Sequence, residues 1–149
     1  MGCEDGVRAA VRRYCRGVDR MDETLLRQAF HPDARIRMGD AVDGGVDDLV
    51  AFLWRFLPRR AMTMHYACDV LVEPVGPTAA RAETYGFAVQ RGPDLVTGFR
   101  YLDHLVAHEG RWVITDRTTT TEWVSTDHPA PLPPGVPTGI RTHPTEGTR

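Results

Sequence analysis

Lysine is absent from this chain of 149 residues; all 18 basic side chains are arginine. That removes Schiff-base chemistry, a pyridoxal-phosphate anchor and a P-loop lysine. Asparagine is also missing, so there is no N-glycosylation acceptor. Serine occurs once, at Ser125, outside any GxSxG context, which argues against a serine hydrolase. No GxGxxG precedes a helix, so the dinucleotide-binding fingerprint is lacking. The three cysteines, Cys3, Cys15 and Cys68, are scattered and odd in number. They make neither a disulfide framework nor a CxxC metal pair, and a reducing cytoplasm is the expected compartment. No apolar run is long enough to span a bilayer, and no signal-peptide pattern opens the chain. A net charge of −2 implies no pull toward nucleic acid or an anionic membrane. What remains is chemistry by His, Asp, Arg, Tyr and Cys, with no cofactor and no metal expected.

The length suits one hydrophobic core, and 42% hydrophobic with 26% charged residues is the balance of a globular chain. Residues 4–20 predict an amphipathic helix, with Val7, Val11, Tyr14 and Val18 on one stripe and arginines outside it. Asp22 is the expected N-cap of a second helix, whose apolar face is Leu25, Leu26, Ala29 and Phe30. That helix should stop near HPDA, because Pro32 holds His31 extended. Residues 34–38 read as a short strand, DGG at 43–45 as a turn, and 46–57 as a third helix ended by Pro58. The hydrophobic period then drops to two. Residues 62–73, 79–90, 97–108 and 111–123 predict four long strands, separated by PVGPT, RGPD and a tight HEGR hairpin. The expected division is a domain over 1–126 and a proline-rich tail over 127–149, where six of the eleven prolines lie. That tail is read either as disordered or as an arm over a neighbouring chain or the pocket mouth. Three helices followed by long strands is an α+β layout, and a sheet that curls around its helices leaves a small-molecule pocket.

Within MTMHY, residues 62–66, one titratable ring sits in an apolar strand. Alternation puts Thr63, His65, Ala67, Asp69 and Leu71 on a mixed face, and Met64, Tyr66, Cys68, Val70 and Val72 on an apolar one. The mixed face suits either a pocket wall or a half-solvated sheet. Asp19 sits near the C-terminus of the first helix, where the dipole disfavours a carboxylate by roughly 0.3–1 kcal/mol unless a partner compensates. An imidazole would compensate, and a surface pair with Arg16 is the alternative. A carboxylate on one ring nitrogen leaves the other free as a base. Arg117 suits either stabilisation of a developing anion or a cross-strand ion pair. Tyr14, Tyr85, Tyr101 and Trp54 are the expected substrate-binding side chains, with core packing as their alternative. His104 and His108 lie about 13 Å apart on a strand, too far to share a metal. His31 with Asp33 reads as turn chemistry.

The stretches GVDRMDETLLRQAFHPDA, MTMHYACDVLVE and GFRYLDHLVAHEGRWVITDR, taken in order, resemble the SnoaL-like branch of the nuclear-transport-factor-2-like superfamily. The likeness is greatest to its scytalone dehydratase and hexachlorocyclohexane dehydrochlorinase group and runs over about residues 5–124. The resemblance implies a cone-shaped, curved mixed sheet packed on three N-terminal helices. It implies a His–Asp dyad at His65 and Asp19, and an arginine of the last long strand at Arg117. The dehydrochlorinase's helper lysine falls on Tyr14, and the second histidine of scytalone dehydratase has no counterpart in RAETYGFAVQ. The implied activity is a cofactor-free lyase or isomerase, eliminating water or halide or closing a polyketide ring, on a small hydrophobic or aromatic substrate. A dimer or trimer is implied by the same likeness. The alternatives are a non-catalytic binding or structural subunit, and a steroid-isomerase-like enzyme with a carboxylate base.

Overall fold

The computed structural model describes residues 2–126. The expectations for 127–149 lie outside the described residues.

The apolar stripe of the first segment forms α1, Cys3–Arg20, which buries Val7, Val11, Tyr14 and Val18. Each fully buried valine contributes roughly 1.5–3 kcal/mol relative to exposure. The helix ends at a left-handed Met21 (φ 52°), where the Met21 and Asp22 amides close back on the carbonyls of Val18 and Gly17. Gly17 is required there. A Cβ at that position would meet the Leu26 backbone at 2.7 Å, so glycine is what lets the next helix lie against the end of α1. That helix, α2, is Glu23–Arg27, and its N-cap Asp22 accepts from the Leu25 amide at 2.9 Å.

The second helix is shorter than its apolar pattern predicts. Phe30 opens strand β1, Phe30–Met38, because the Ile114 amide donates to the Ala29 carbonyl and draws the chain into the sheet. The HPDA segment is absorbed as a bulge: β1 pairs Phe30 with Ile114 and then Arg35 with Asp116. The DGG segment is not merely a turn, since Val42–Gly44 forms a three-residue strand, β2, paired with β1. Helix α3, Val46–Phe56, follows, and Pro58 sits in a closing 3₁₀ turn, Leu57–Arg59. The four long strands are β3 (Met62–Pro74), β4 (Ala79–Arg91), β5 (Leu95–His108) and β6 (Arg111–Ser125). Glu109 and Gly110, both at positive φ, make the two-residue β5–β6 hairpin.

The sheet is six-stranded and mixed, in the order β2-β1-β6-β5-β4-β3, with β1 parallel to β6 and every other pair antiparallel. Register shifts interrupt β3, β5 and β6, and such bulges bend strands, which curves the sheet around the core. The bulge between Ala67 and Asp69 also corrects the alternation read from the sequence. Thr63, His65 and Ala67 share the inward face, the pocket-wall alternative of the two, but beyond the bulge Val70 and Val72 turn in while Asp69 and Leu71 turn out. The core lies between the concave face of the sheet and α1–α3, with α1 packed on β3 and β6.

Candidate active site

The last turn of α1 lies against the start of β3, and this contact brings Asp19 to His65. One carboxylate oxygen of Asp19 accepts from the His65 backbone amide at 2.8 Å, and the other lies 2.6 Å from the ring Nδ1. A carboxylate held at both oxygens cannot turn away. Because ionised Asp only accepts, it assigns the proton of the neutral ring to Nδ1 and leaves the lone pair on Nε2. The two side chains are 12% and 22% exposed, so the pair is sheltered yet reachable by a small molecule.

His65 lines a cavity of about 180 Å³ between the sheet and the helices. Tyr14, Phe99 and Tyr101 share that cavity, and the His65 ring is 5.9 Å from Phe99 and 6.4 Å from Tyr14. Phe99 and Tyr101 stack at 4.4 Å, and Tyr14 meets Tyr101 edge-on at 5.5 Å. Burial pushes the Tyr14 phenol up to about 12 and the Tyr101 phenol well above its ordinary value, so both remain protonated donors. Burial likewise pushes the Cys15 thiol up to about 12, so it is no nucleophile at neutral pH.

Arg117 lies behind the two tyrosines and is fully buried. Its Nε and Nη2 donate to the two oxygens of Asp103 at 2.7 and 2.6 Å, across β5 and β6. Its guanidinium carbon lies 4.0 Å from the Tyr101 ring centre and 4.4 Å from that of Tyr14. Burial alone would lower its pKa, but Asp103 opposes this and holds it above the ordinary value. Arg117 is not among the residues that line the cavity. Its Nη1 is buried without a hydrogen-bond partner among the described residues.

Two further expected contacts are placed elsewhere. Tyr85 lies on the outer face of the sheet, 41% exposed, with Arg100 over its ring at 4.7 Å. It follows Thr84, which β4 turns inward, so alternation sends it out. Trp54 packs against the core from α3 but does not line the cavity; its neighbours Phe52, Leu53 and Phe56 do. Nothing in the sequence marked these three, nor Gln90 and Phe99. Alternation put Thr63 on the mixed face of β3, and the run Thr118–Thr121 reads in the sequence as strand propensity and not a site, whereas Thr119 and Thr121 line the cavity. Their inward parity on the strands was the available signal, but which inward positions meet a void depends on where α3 lands. Among the described residues, no three His, Cys, Asp or Glu side chains gather where they could hold a metal. His108 instead meets His31 ring to ring at 4.6 Å, beside a separate groove that Arg27 and Asp47 also line.

The chain's fold is shared with solved structures. One is a scytalone dehydratase-like protein from Novosphingobium aromaticivorans (TM-score 0.76, 18% identity, 91% of this chain and 95% of that one). Another is a hexachlorocyclohexane dehydrochlorinase of type 2 (TM-score 0.79, 14% identity, 89% and 95% covered). A third is the type-3 dehydrochlorinase from Novosphingobium barchaimii (TM-score 0.76, 14% identity, 87% and 94% covered). No curated protein matches the chain in sequence. The SnoaL-like domain model matches residues 4–118, and with its curved mixed sheet closed over N-terminal helices the chain belongs to the SnoaL-like family of the nuclear-transport-factor-2-like fold.

Proposed function

We propose that this protein is a cofactor-independent lyase that removes a carbon-bound proton from a small hydrophobic or aromatic substrate, with His65 as the base. The observation that carries this reading is the placement of His65, fixed by Asp19 at 2.6 Å on Nδ1 while the ring lines the cavity. Two of the structural neighbours are named for eliminations, a dehydratase and a dehydrochlorinase, which supports elimination as the reaction type. In the proposed step Nε2 takes the C–H proton and Asp19 stabilises the imidazolium. The C–H electron pair becomes the new C=C, and the bond to the leaving oxygen or halide breaks. A leaving hydroxide takes a proton from Tyr14 or Tyr101 and departs as water, and the imidazolium passes the proton it took from carbon to the phenolate; a leaving halide departs as the anion, and the imidazolium gives its proton to water. Arg117 acts through the tyrosines: its charge opposes the effect of burial on Tyr14 and makes the phenol a better donor than burial alone would leave it. Ring closure by an aldol step would use the same base and donors.

Turnover of scytalone and of hexachlorocyclohexane, followed by dehydration product and by chloride release, tests the assignment. His65→Ala is expected to lower the rate on an accepted substrate by roughly two to four orders of magnitude while the melting temperature holds. A variant as active as the parent contradicts it. Binding without turnover of any elimination substrate would leave the site as that of a binding module.

We also propose that copies of the chain associate, because the outer sheet face exposes Leu71, Leu102 and Trp123. Light scattering that gives a monomer mass at micromolar concentration would contradict this.

A further inference from the structure

The cavity has two unlike walls. Its helix side is apolar, built by Val18 of α1 with Phe52, Leu53 and Phe56 of α3. Its sheet side is mixed: Thr63 on β3, Gln90 on β4, Thr97 on β5, and Thr119 and Thr121 on β6 stand among Met38, Ala88 and Phe99. Thr63 and Gln90 stand directly opposite each other across the β3–β4 ladder, yet neither bonds the other. Thr63 Oγ1, Gln90 Oε1 and Thr119 Oγ1 are all buried without a hydrogen-bond partner among the described residues. Other buried polar atoms also lack partners, but none of those belongs to a residue that lines the cavity.

An unpaired buried polar group is costly, and folded proteins keep few of them. Valine and leucine would fill the same sites on a wall that only packs. Three such oxygens lie just behind the lining of one cavity, where a change of rotamer turns them toward an occupant, so this wall can be completed by something that enters it. Gln90 Oε1 only accepts, so the group that satisfies it brings an O–H or N–H; the threonine hydroxyls take either role. Size narrows the occupant further. A cavity of about 150 Å³ holds benzene, so the roughly 180 Å³ here is on the scale of a compact ring compound.

We propose that Thr63, Gln90 and Thr119 are specificity-determining residues that select a hydroxylated ring over its halogenated or hydrocarbon counterpart. This rests on the reading of the cavity as the substrate site. A site that hydrogen-bonds a substrate hydroxyl rejects an analogue without it far more strongly than an apolar pocket rejects a change of one methylene. These polar side chains therefore place this chain on the dehydration side of the two eliminations rather than on the dehalogenation side.

Calorimetric titration of the parent protein with resorcinol and with meta-dichlorobenzene tests the proposal. Neither probe undergoes elimination, so binding is read apart from catalysis, and a failure here leaves the assignment of His65 as base standing. Resorcinol is expected to bind about tenfold more tightly or better, the scale of one buried hydrogen bond. Thr63→Val, Thr119→Val and Gln90→Leu should each erode that preference. Their melting temperatures should be unchanged or raised, since each removes an unpaired polar atom. Four results would overturn the proposal: dichlorobenzene binding as well as resorcinol, a preference that survives in all three variants, a sharp loss of stability on Thr63→Val, or binding of neither probe at millimolar concentration.

Discussion

Asp19 and Asp103 each hold a basic side chain at 2.6 Å, and the two pairs suit different chemistry. Asp103 and Arg117 are wholly buried within the sheet, while Asp19 and His65 join a helix end to a strand at the edge of a cavity and keep some exposure. The geometry of the contact is nearly the same; the partner and the depth differ. A guanidinium does not release its proton in a protein, so the buried pair can only carry charge. An imidazole can take up and give up a proton, so the shallower pair is open to proton chemistry. Depth adds to the contrast. Burying an ion pair yields little net stability, whereas breaking one is expensive.

The largest effect should come from breaking the deep pair. Asp103→Ala leaves the Arg117 charge in the core with no counter-ion and should cost about 3–5 kcal/mol, read as a lower urea midpoint. Replacing both partners, as Asp103→Leu with Arg117→Met, should recover most of that stability. If the double variant is stable, its turnover isolates the electrostatic contribution of Arg117 to the tyrosines; we expect a partial loss of rate with the fold kept. A double variant as unstable as Asp103→Ala would show that the pair does more than neutralise itself.

A smaller effect is expected from pH. Tyr14 rises from its ordinary 10.0 to about 12 and Cys15 from 9.0 to about 12, both chiefly through burial. Their folded values lie above their unfolded ones, so the neutral forms contribute stability that is fully present below pH 9.0 and is lost as pH climbs toward 12. Urea unfolding at pH 8 and pH 11 should show this fall, and Cys15→Ala should flatten it. A slope unchanged in that variant would remove Cys15 from the account.

The smallest effect should be at Tyr85, on the outer face. Tyr85→Ala should cost under about 1 kcal/mol, the scale of a cross-strand pair, and leave turnover unchanged. A large fall in turnover would bring that face into the site.

Much of this arrangement was legible in the sequence, for reasons particular elements make plain. The stripe Val7, Val11, Tyr14 and Val18 fixed the buried face of α1, and period-two runs with turn signals located β3–β6. The contact of Asp19 with His65 was legible in part: a carboxylate at a helix C-terminus asks for a partner, Arg16 or an imidazole, and the family resemblance pointed to His65. Three things were hidden. The bulge after Ala67 reverses which side chains face the core, and nothing local announces it. Strand β2 exists only because β1 offers it an edge. The partner of Arg117 is Asp103, directly opposite it in the β5–β6 register, and that register is fixed by a hairpin and a bulge together. Tyr85 and Trp54 were placed by residue type, and residue type does not say which side of a sheet or helix meets the cavity.

In the proposed step Asp19 fixes His65 so that Nε2 is an available base. Nitrogen NMR of the imidazole reads this without any substrate, because the two tautomers of a neutral ring give distinct nitrogen shifts. His65, when neutral, is expected to carry its proton on Nδ1 in the parent and to lose that preference in Asp19→Asn, whose amide can donate to the ring. A neutral His65 protonated on Nε2 in the parent protein would contradict it.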